Sequence, residues 1–188
     1  MILLAALFLG LLAGLGTARW RRQAYQAPSL RHRWLIVAAF VPQVLVSYLP
    51  ATRGFLPNGL AALILPGSLL IFLVFAWLNR QLPGMPLLLA GLVLNLAVIT
   101  ANRGWMPISP ETASHLPGGG GLHEADLGTR FGQKDILLRT EQTRLAFLSD
   151  RLLLPSGLPY QVAFSAGDVL VAAGVFWLLA RPPHEIDT

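Results

Sequence analysis

The chain has 188 residues, of which 54% are hydrophobic and only 12% are charged, too apolar a balance for a typical soluble domain. Its formal net charge of +5 does not indicate nucleic-acid binding, because the basic residues sit at the ends of apolar segments rather than on one continuous face. The absence of cysteine excludes disulfides, thiolate metal sites and cysteine nucleophiles. Composition therefore predicts an all-α integral membrane protein.

The first apolar run, residues 2–18, is about long enough to cross the roughly 30 Å hydrocarbon layer as a helix. Its positive charges follow the apolar region, whereas those of a cleaved signal peptide precede it. Within the run, Ala6, Gly10 and Gly14 recur at four-residue spacing, which lets another helix approach closely. That helix belongs either to the same chain or to a second copy in a homo-oligomer.

The connector that follows, residues 19–33, carries five arginines. Short loops rich in Lys and Arg stay cytoplasmic when a membrane protein inserts, so we expect the connector inside and the N-terminus outside.

Three further apolar runs follow, at residues 34–49, 60–78 and 86–101. Pro42 is expected to kink the second helix, and the pair Pro66 and Gly67 is expected to break the third. Asn95 is the one strongly polar residue at the centre of the fourth run, which predicts an interhelical hydrogen bond rather than a substrate ligand.

The polar segment at residues 102–164 is predicted to form an extracytoplasmic loop or cap. Ser109 and Pro110 are typical of the cap and first residue of a short helix. The four glycines 118–121 indicate a flexible turn or linker. The spacing of Leu145, Leu148 and Leu152 suits one helical face, although a short hairpin remains an alternative.

A fifth apolar run, residues 165–180, completes five predicted transmembrane helices with the N-terminus outside and the C-terminus inside. The predicted parts are a four-helix transmembrane part (residues 1–101), the cap (102–164), and the fifth helix with a short tail (165–188). Seven arginines lie at the predicted inner ends against three near the outer ends, as the positive-inside rule requires. The inner seven are Arg19, Arg21, Arg22, Arg31, Arg33, Arg80 and Arg181.

Five features occur in a characteristic order: the arginine-rich connector, NRGWMPISP at residues 102–110, TRLAFLSD at 143–150, Pro155, and SAGDVLVAAGVF at 165–176. Together they resemble a bacterial family of small polytopic membrane proteins, the domain of unknown function 5317. Asn102, Met106 and Pro107 belong to the more specific part of this resemblance. It implies an integral membrane fold in a bacterium and no particular reaction.

Asp168 is the only carboxylate within an apolar run. An acid in a membrane segment is by default a functional hypothesis, but Ser165 and Asp168 also have the spacing of a capping box. The same stretch is similar to the last-helix motif of lipoprotein signal peptidases, whose chemistry needs two carboxylates that share a proton. No second carboxylate lies in the fourth run, so Asp168 would have to recruit Asp135, Glu141 or Asp150 from the loop.

A second candidate site is a group of polar residues suited to a divalent cation, Glu111, His115, His123, Glu124 and Asp126. No HExxH helix is present and the four glycines separate the two histidines, so a solvated loop is the preferred interpretation. We predict no cofactor, and no span has a central histidine for haem.

The sequence thus favours a non-catalytic multi-pass protein of the bacterial cytoplasmic membrane, or an accessory subunit of a membrane complex. The expected partners are the lipid bilayer and either other membrane subunits or further copies of the chain, with no nucleic acid. The alternative is a membrane-embedded hydrolase that uses Asp168.

Overall fold

The computed structural model describes residues 2–48, 58–121, 124–132, 134–155, 157 and 160–181. Five long helices dominate it. They are α1 (Ile2–Trp20), α2 (Trp34–Tyr48), α3 (Asn58–Leu78), α4 (Met85–Ala101) and α6 (Ala166–Ala180), with the short helix α5 (Pro110–Ser114) between the last two.

The long helices do not pack in the order in which the chain makes them. Helix α6 lies between α1 and α4, α3 packs on α4, and α2 packs on α3. One apolar core is shared by α2, α3, α4 and α6, and its buried residues include Leu35, Phe75, Met85, Leu92 and Leu178. The contacts therefore run in the order α1, α6, α4, α3 and α2, which places α4 in the middle of the bundle.

Glycines allow α6 to approach both of its neighbours closely. A Cβ atom at Gly10 of α1 would lie 2.9 Å from the Phe176 carbonyl oxygen, and Gly14 packs on Leu179 in the same way. On the other side, a Cβ atom at Gly91 of α4 would lie 2.5 Å from the carbonyl oxygen of Gly167. Gly10 and Gly14 thus serve packing inside the chain, one of the two roles expected for them.

Helix α3 is continuous across Pro66 and Gly67, so the predicted break is wrong. Proline removes only one amide donor, and the remaining backbone hydrogen bonds hold the helix together. The carbonyl freed by Pro66 is that of Ala62. Gly104, with a φ of 88°, lies directly against this carbonyl, where a side chain would collide with it.

By length and composition, α1 is the only helix among the described residues that could cross a membrane. Signal sequences, and the core helices of soluble proteins, also have this length and composition. Shorter apolar helical stretches occupy Trp34–Leu45, Ala62–Leu78, Met85–Ala101 and Ala166–Ala180.

The cap, residues 102–164, contains small strands rather than helices alone. Strands β1 (Met106–Ile108) and β3 (Asp135–Leu137) pair in parallel, and β2 (Arg130–Phe131) adds to β3 in antiparallel orientation. Strands β4 (Leu152–Leu153) and β5 (Ala163–Phe164) form a separate antiparallel pair. The fold of the cap is therefore mixed α and β, and the expectation of an all-α chain does not hold for it.

Of the two helices predicted in the cap, one is confirmed and the other is absent. Ser109 caps α5 and accepts a hydrogen bond from the Thr112 amide at 3.1 Å. The helix predicted across residues 145–152 is absent, because Leu145 adopts a left-handed φ of 55° and only a 3-10 turn, Ala146–Leu148, follows it. Leu148 alone of the predicted face is buried, against Val98, Ile99 and Met106.

Many arginine and tryptophan residues lie at the end of the bundle away from the cap. Asn79, just after α3, holds the connector by accepting from the Arg31 amide at 2.7 Å and donating to its carbonyl at 3.1 Å. The Tyr25 hydroxyl donates to the Leu179 carbonyl at 3.1 Å. These bonds place at one end, hereafter the arginine end, the arginines Arg19, Arg21, Arg22, Arg31, Arg33, Arg80 and Arg181.

Candidate functional site: a buried ion cluster between cap and bundle

The first turn of α6 is fixed by a capping box. Ser165 is fully buried, its Oγ accepts from the Asp168 amide at 3.0 Å, and Asp168 Oδ2 accepts from the Ser165 amide at 3.3 Å. Both residues also bind Asn95 of α4, which donates to Asp168 Oδ1 at 2.7 Å and accepts from Ser165 Oγ at 2.8 Å. One amide side chain thus ties the start of α6 to the middle of α4.

Lys134 of the cap contacts the carboxylate of Asp168. Its Nζ lies 3.3 Å from Asp168 Oδ2 and 2.8 Å from Asp150 Oδ2, so the ammonium bridges the cap and the bundle. Asp135, the next residue along the chain, completes a group of four ionisable side chains. We call Lys134, Asp135, Asp150 and Asp168 the ion cluster.

Strand β1 positions the cap's share of the cluster. The Met106 amide donates to the Lys134 carbonyl at 3.0 Å, and the Asp150 amide donates to the Pro107 carbonyl at 3.2 Å. Met106 and Pro107 are themselves fully buried. This strand therefore brings together residues that lie 16 positions apart in the sequence.

Asn102, at the end of α4, holds the cap segment that leads to Asp150. Its side chain accepts from the Arg144 amide at 3.0 Å and donates to the Arg144 carbonyl at 2.8 Å and the Val98 carbonyl at 2.7 Å. The amide group of Asn102 thus acts as a peptide-like link between the end of α4 and the segment that leads to Asp150. Its burial prevents water from replacing these bonds.

The carboxyl groups of Asp135 and Asp150 act on each other's pKa, and both are enclosed. Oδ1 of each accepts no hydrogen bond from any described residue, and Asp150 Oδ2 has only its ion pair with Lys134. Two carboxyl groups enclosed in one site favour a state in which they share one proton. Burial raises the pKa of Asp135 to about 8, against the opposing effect of Lys134, and burial also raises the pKa of Asp150.

Lys134 stays charged in these surroundings. Burial alone would lower its pKa, but the carboxylates of Asp150 and Asp168 outweigh that effect and raise the pKa above its ordinary value of 10.5. With one proton on the aspartate pair, the cluster holds one positive and two negative charges.

The shared proton predicts a pH dependence of stability. The ordinary pKa of Asp135 is 3.8 and its folded-state pKa is about 8. Between these values the folded protein holds a proton that the unfolded chain has released. The free energy of unfolding should therefore fall as pH rises through this window, by up to about 1.4 kcal/mol per pH unit for one proton.

Thermal unfolding in detergent between pH 5 and pH 8.5 measures this slope. Asp135→Asn should flatten it, since the amide donates to Asp150 at every pH, whereas the exposed Glu111→Gln should leave it unchanged. The same slope in Asp135→Asn and the parent would contradict the shared proton.

The candidate metal ligands that the structure describes are not brought together. Glu111 is exposed in the first turn of α5, His115 ends that helix, and Asp126 lies in a separate 3-10 turn. His123 lies outside the described residues. No group of three or more possible ligand side chains occurs among the residues that the structure describes.

Sequence reasoning identified part of the ion cluster. Asp135 and Asp150 were among the three loop acids that Asp168 would have to recruit, and the third, Glu141, lies exposed in a 3-10 turn. Lys134 was missed. The available signal was that it is the only lysine in a chain that otherwise uses arginine.

The family model described as a family of unknown function, DUF5317, matches residues 28–180. The resemblance found in the sequence is thereby confirmed over all of the chain except α1, the start of the connector and the tail. No curated protein and no solved structure gave a significant match.

Proposed function

We infer that this chain, which belongs to the family of unknown function DUF5317, is a non-catalytic integral membrane protein with five spans. Its bundle crosses the bacterial cytoplasmic membrane, and the ion cluster fixes the cap on the outer end. In this proposal the chain acts as a rigid scaffold or accessory subunit, with lipid and other membrane subunits as its partners.

The observation that carries the proposal is the exposure of apolar side chains on several helices. Large aliphatic and aromatic residues are exposed along the length of α1, α2 and α3. Soluble monomers rarely expose contiguous apolar patches larger than a few hundred Å². A bilayer or other membrane subunits would cover this surface. Examples are Leu4, Phe8, Val37, Phe40, Leu63, Leu70 and Val74.

The arginine end supports the proposed orientation. Trp20, Trp34, Trp77 and Trp177 lie at this end and are exposed, as expected of a belt at the membrane interface. The guanidinium of Arg80 stacks 4.6 Å from the ring centroid of Trp77. Arginine and tryptophan at one end of the helices favour placing that end on the cytoplasmic side.

Cysteine labelling tests the topology directly, because the chain has no cysteine of its own. In intact cells an impermeant maleimide should label Gly120→Cys in the cap and leave Gln26→Cys in the connector unlabelled until the cells are opened. Both positions are exposed, so access to the side chain itself does not limit labelling. The reverse pattern, or equal labelling, would rule out the proposed orientation.

The geometry of the ion cluster favours a structural role. A pair of catalytic aspartates needs a water between the two carboxylates, with one proton to share. Between Asp150 and Asp168 the Lys134 ammonium occupies this position, at 2.8 Å and 3.3 Å from their oxygens. Asp150 is only 1% exposed, which leaves it no direct access to a substrate.

One observation favours a second candidate, a membrane-embedded hydrolase. The sequence offered Asp168 no second carboxylate in a neighbouring span, yet in the structure Asp150 and Asp135 lie beside it. An open apolar groove of about 630 Å³ runs along α6 past Phe164 and Val169, on either side of Asp168 in the sequence. A peptide segment in the membrane could enter there.

The two candidates differ in what they require of Asp168. A structural residue needs an oxygen acceptor, so Asp168→Asn should accumulate in the membrane and unfold at a higher temperature than Asp168→Ala, which loses the bonds to Asn95 and Ser165. A catalytic carboxylate needs its ionised form, so Asn would be as inactive as Ala.

Comparison of membrane proteomes separates the candidates. Strains carrying the parent or Asp168→Asn should show the same set of membrane-protein fragments. A precursor that accumulates in the well-folded Asp168→Asn strain, and disappears when the parent is restored, would establish the hydrolase instead.

A further inference from the structure

We propose that the arginine end contains a discrete binding site for the phosphate headgroup of an anionic phospholipid, built by Arg19, Arg22 and Tyr25. The site is an open cavity of about 690 Å³ between the end of α1 and the connector. This inference rests on the proposed membrane orientation, which places the cavity at the level of the cytoplasmic headgroups.

The lining of the cavity matches both parts of a phospholipid. Two guanidinium groups and the amide of Gln23 supply donors for a phosphate, and Leu15 and Ala18 form an apolar floor on the side that continues along α1. Tyr25 donates its hydroxyl to Leu179, which fixes the wall of the cavity against α6.

No acidic side chain neutralises these arginines within the described part of the chain. The ion pairs of Lys134 with Asp150 and Asp168 lie at the opposite end of the bundle. The acids Glu185 and Asp187 belong to the tail, outside the described residues. The unneutralised guanidinium groups therefore favour an anionic ligand.

The backbone at Arg22 gives independent support. Helix α1 ends in a Schellman motif, in which the Gln23 amide donates to the Ala18 carbonyl at 2.9 Å and the Arg22 amide to the Arg19 carbonyl at 3.1 Å. The residue at this position takes a left-handed conformation, usually supplied by glycine, and here Arg22 has a φ of 55°. An arginine held where glycine is preferred indicates that its side chain has a use at this place.

A matched pair of substitutions tests the site in the full-length protein. Arg22→Gln and Arg33→Gln remove the same charge from the same end, but only Arg22 lines the cavity. In native mass spectrometry with phosphatidylglycerol, Arg22→Gln should raise the Kd about fivefold, since one basic residue near an anionic surface contributes about 1 kcal/mol. Arg33→Gln should change the Kd by less than about twofold.

Arg22→Gly separates binding from folding. Glycine suits the left-handed position, so this variant should unfold at the same temperature as the parent or higher, yet bind phosphatidylglycerol as weakly as Arg22→Gln. A loss of binding that came with a loss of stability would overturn the assignment, and so would equal losses in the Arg22 and Arg33 variants.

Two further binding measurements identify the ligand. Phosphatidylcholine should bind more weakly than phosphatidylglycerol, and millimolar inorganic phosphate should not displace the lipid. Displacement by free phosphate would replace the lipid site with a simple anion site. Because cysteine labelling tests the orientation independently, a missing lipid preference in a correctly oriented protein would refute this site alone.

Discussion

Lys134→Met should destabilise the protein by about 3–5 kcal/mol near neutral pH, since it removes the only cation from a group of enclosed carboxylates. Lys134 bridges Asp150, which is almost completely buried, and Asp168, whose side chain is 25% exposed. Without the ammonium, both carboxylates must be protonated or leave their sites. The cap should then separate from α4 and α6.

Thermal unfolding and limited proteolysis in detergent measure this effect. Arg144→Met removes an exposed cation from the same cap and should have little effect on either readout. Adding Asp150→Asn to Lys134→Met should restore part of the stability by removing a buried charge. If Lys134→Met and Arg144→Met behave alike, the ion cluster does not hold the cap.

Gly91→Ala should lower the free energy of unfolding about as much as Lys134→Met, by roughly 3 kcal/mol or more. The added methyl group would press on backbone atoms, which cannot move aside as a flexible side chain can. The added Cβ atom would lie 2.5 Å from the Gly167 carbonyl oxygen and 2.8 Å from the Val171 amide nitrogen. Helices α4 and α6 must separate to accept it. That movement would also pull Asn95 away from Ser165 and Asp168.

The control is Gly16→Ala on α1, where an added Cβ atom meets nothing within 4 Å. Alanine is the better helix former by about 1 kcal/mol, so this variant should be unchanged or slightly more stable. The two variants are compared by their accumulation in the membrane and by their unfolding temperature in detergent. A Gly91→Ala protein as stable as Gly16→Ala would mean that the helices do not approach so closely.

Local features were predictable from the sequence because each depends on residues within one turn. Ser109 and Pro110 begin α5 as expected, and Ser165 with Asp168 forms the capping box. In such motifs a short side chain meets the backbone two or three residues away, whatever the rest of the fold does.

Predictions that rested on apolar spacing alone failed in the cap. The spacing of Leu145, Leu148 and Leu152 fits a helix, but Pro107 binds the Asp150 amide and Asn102 binds the backbone at Arg144. These contacts with distant residues satisfy the backbone in another way and stabilise the turn at Leu145. Spacing cannot reveal such partners, since they lie at the end of α4 and in strand β1, about 40 residues earlier.

The sequence by itself determined the family, the long apolar helices, the arginine-rich connector and the capping box, because composition and short-range spacing carry these features. Only the tertiary structure decided that α6 lies between α1 and α4, since contact between helices depends on which glycines meet. It alone also placed Lys134, Asp135 and Asp150 beside Asp168. Long-range hydrogen bonds of β1 and Asn102 create that neighbourhood, and no local pattern contains them.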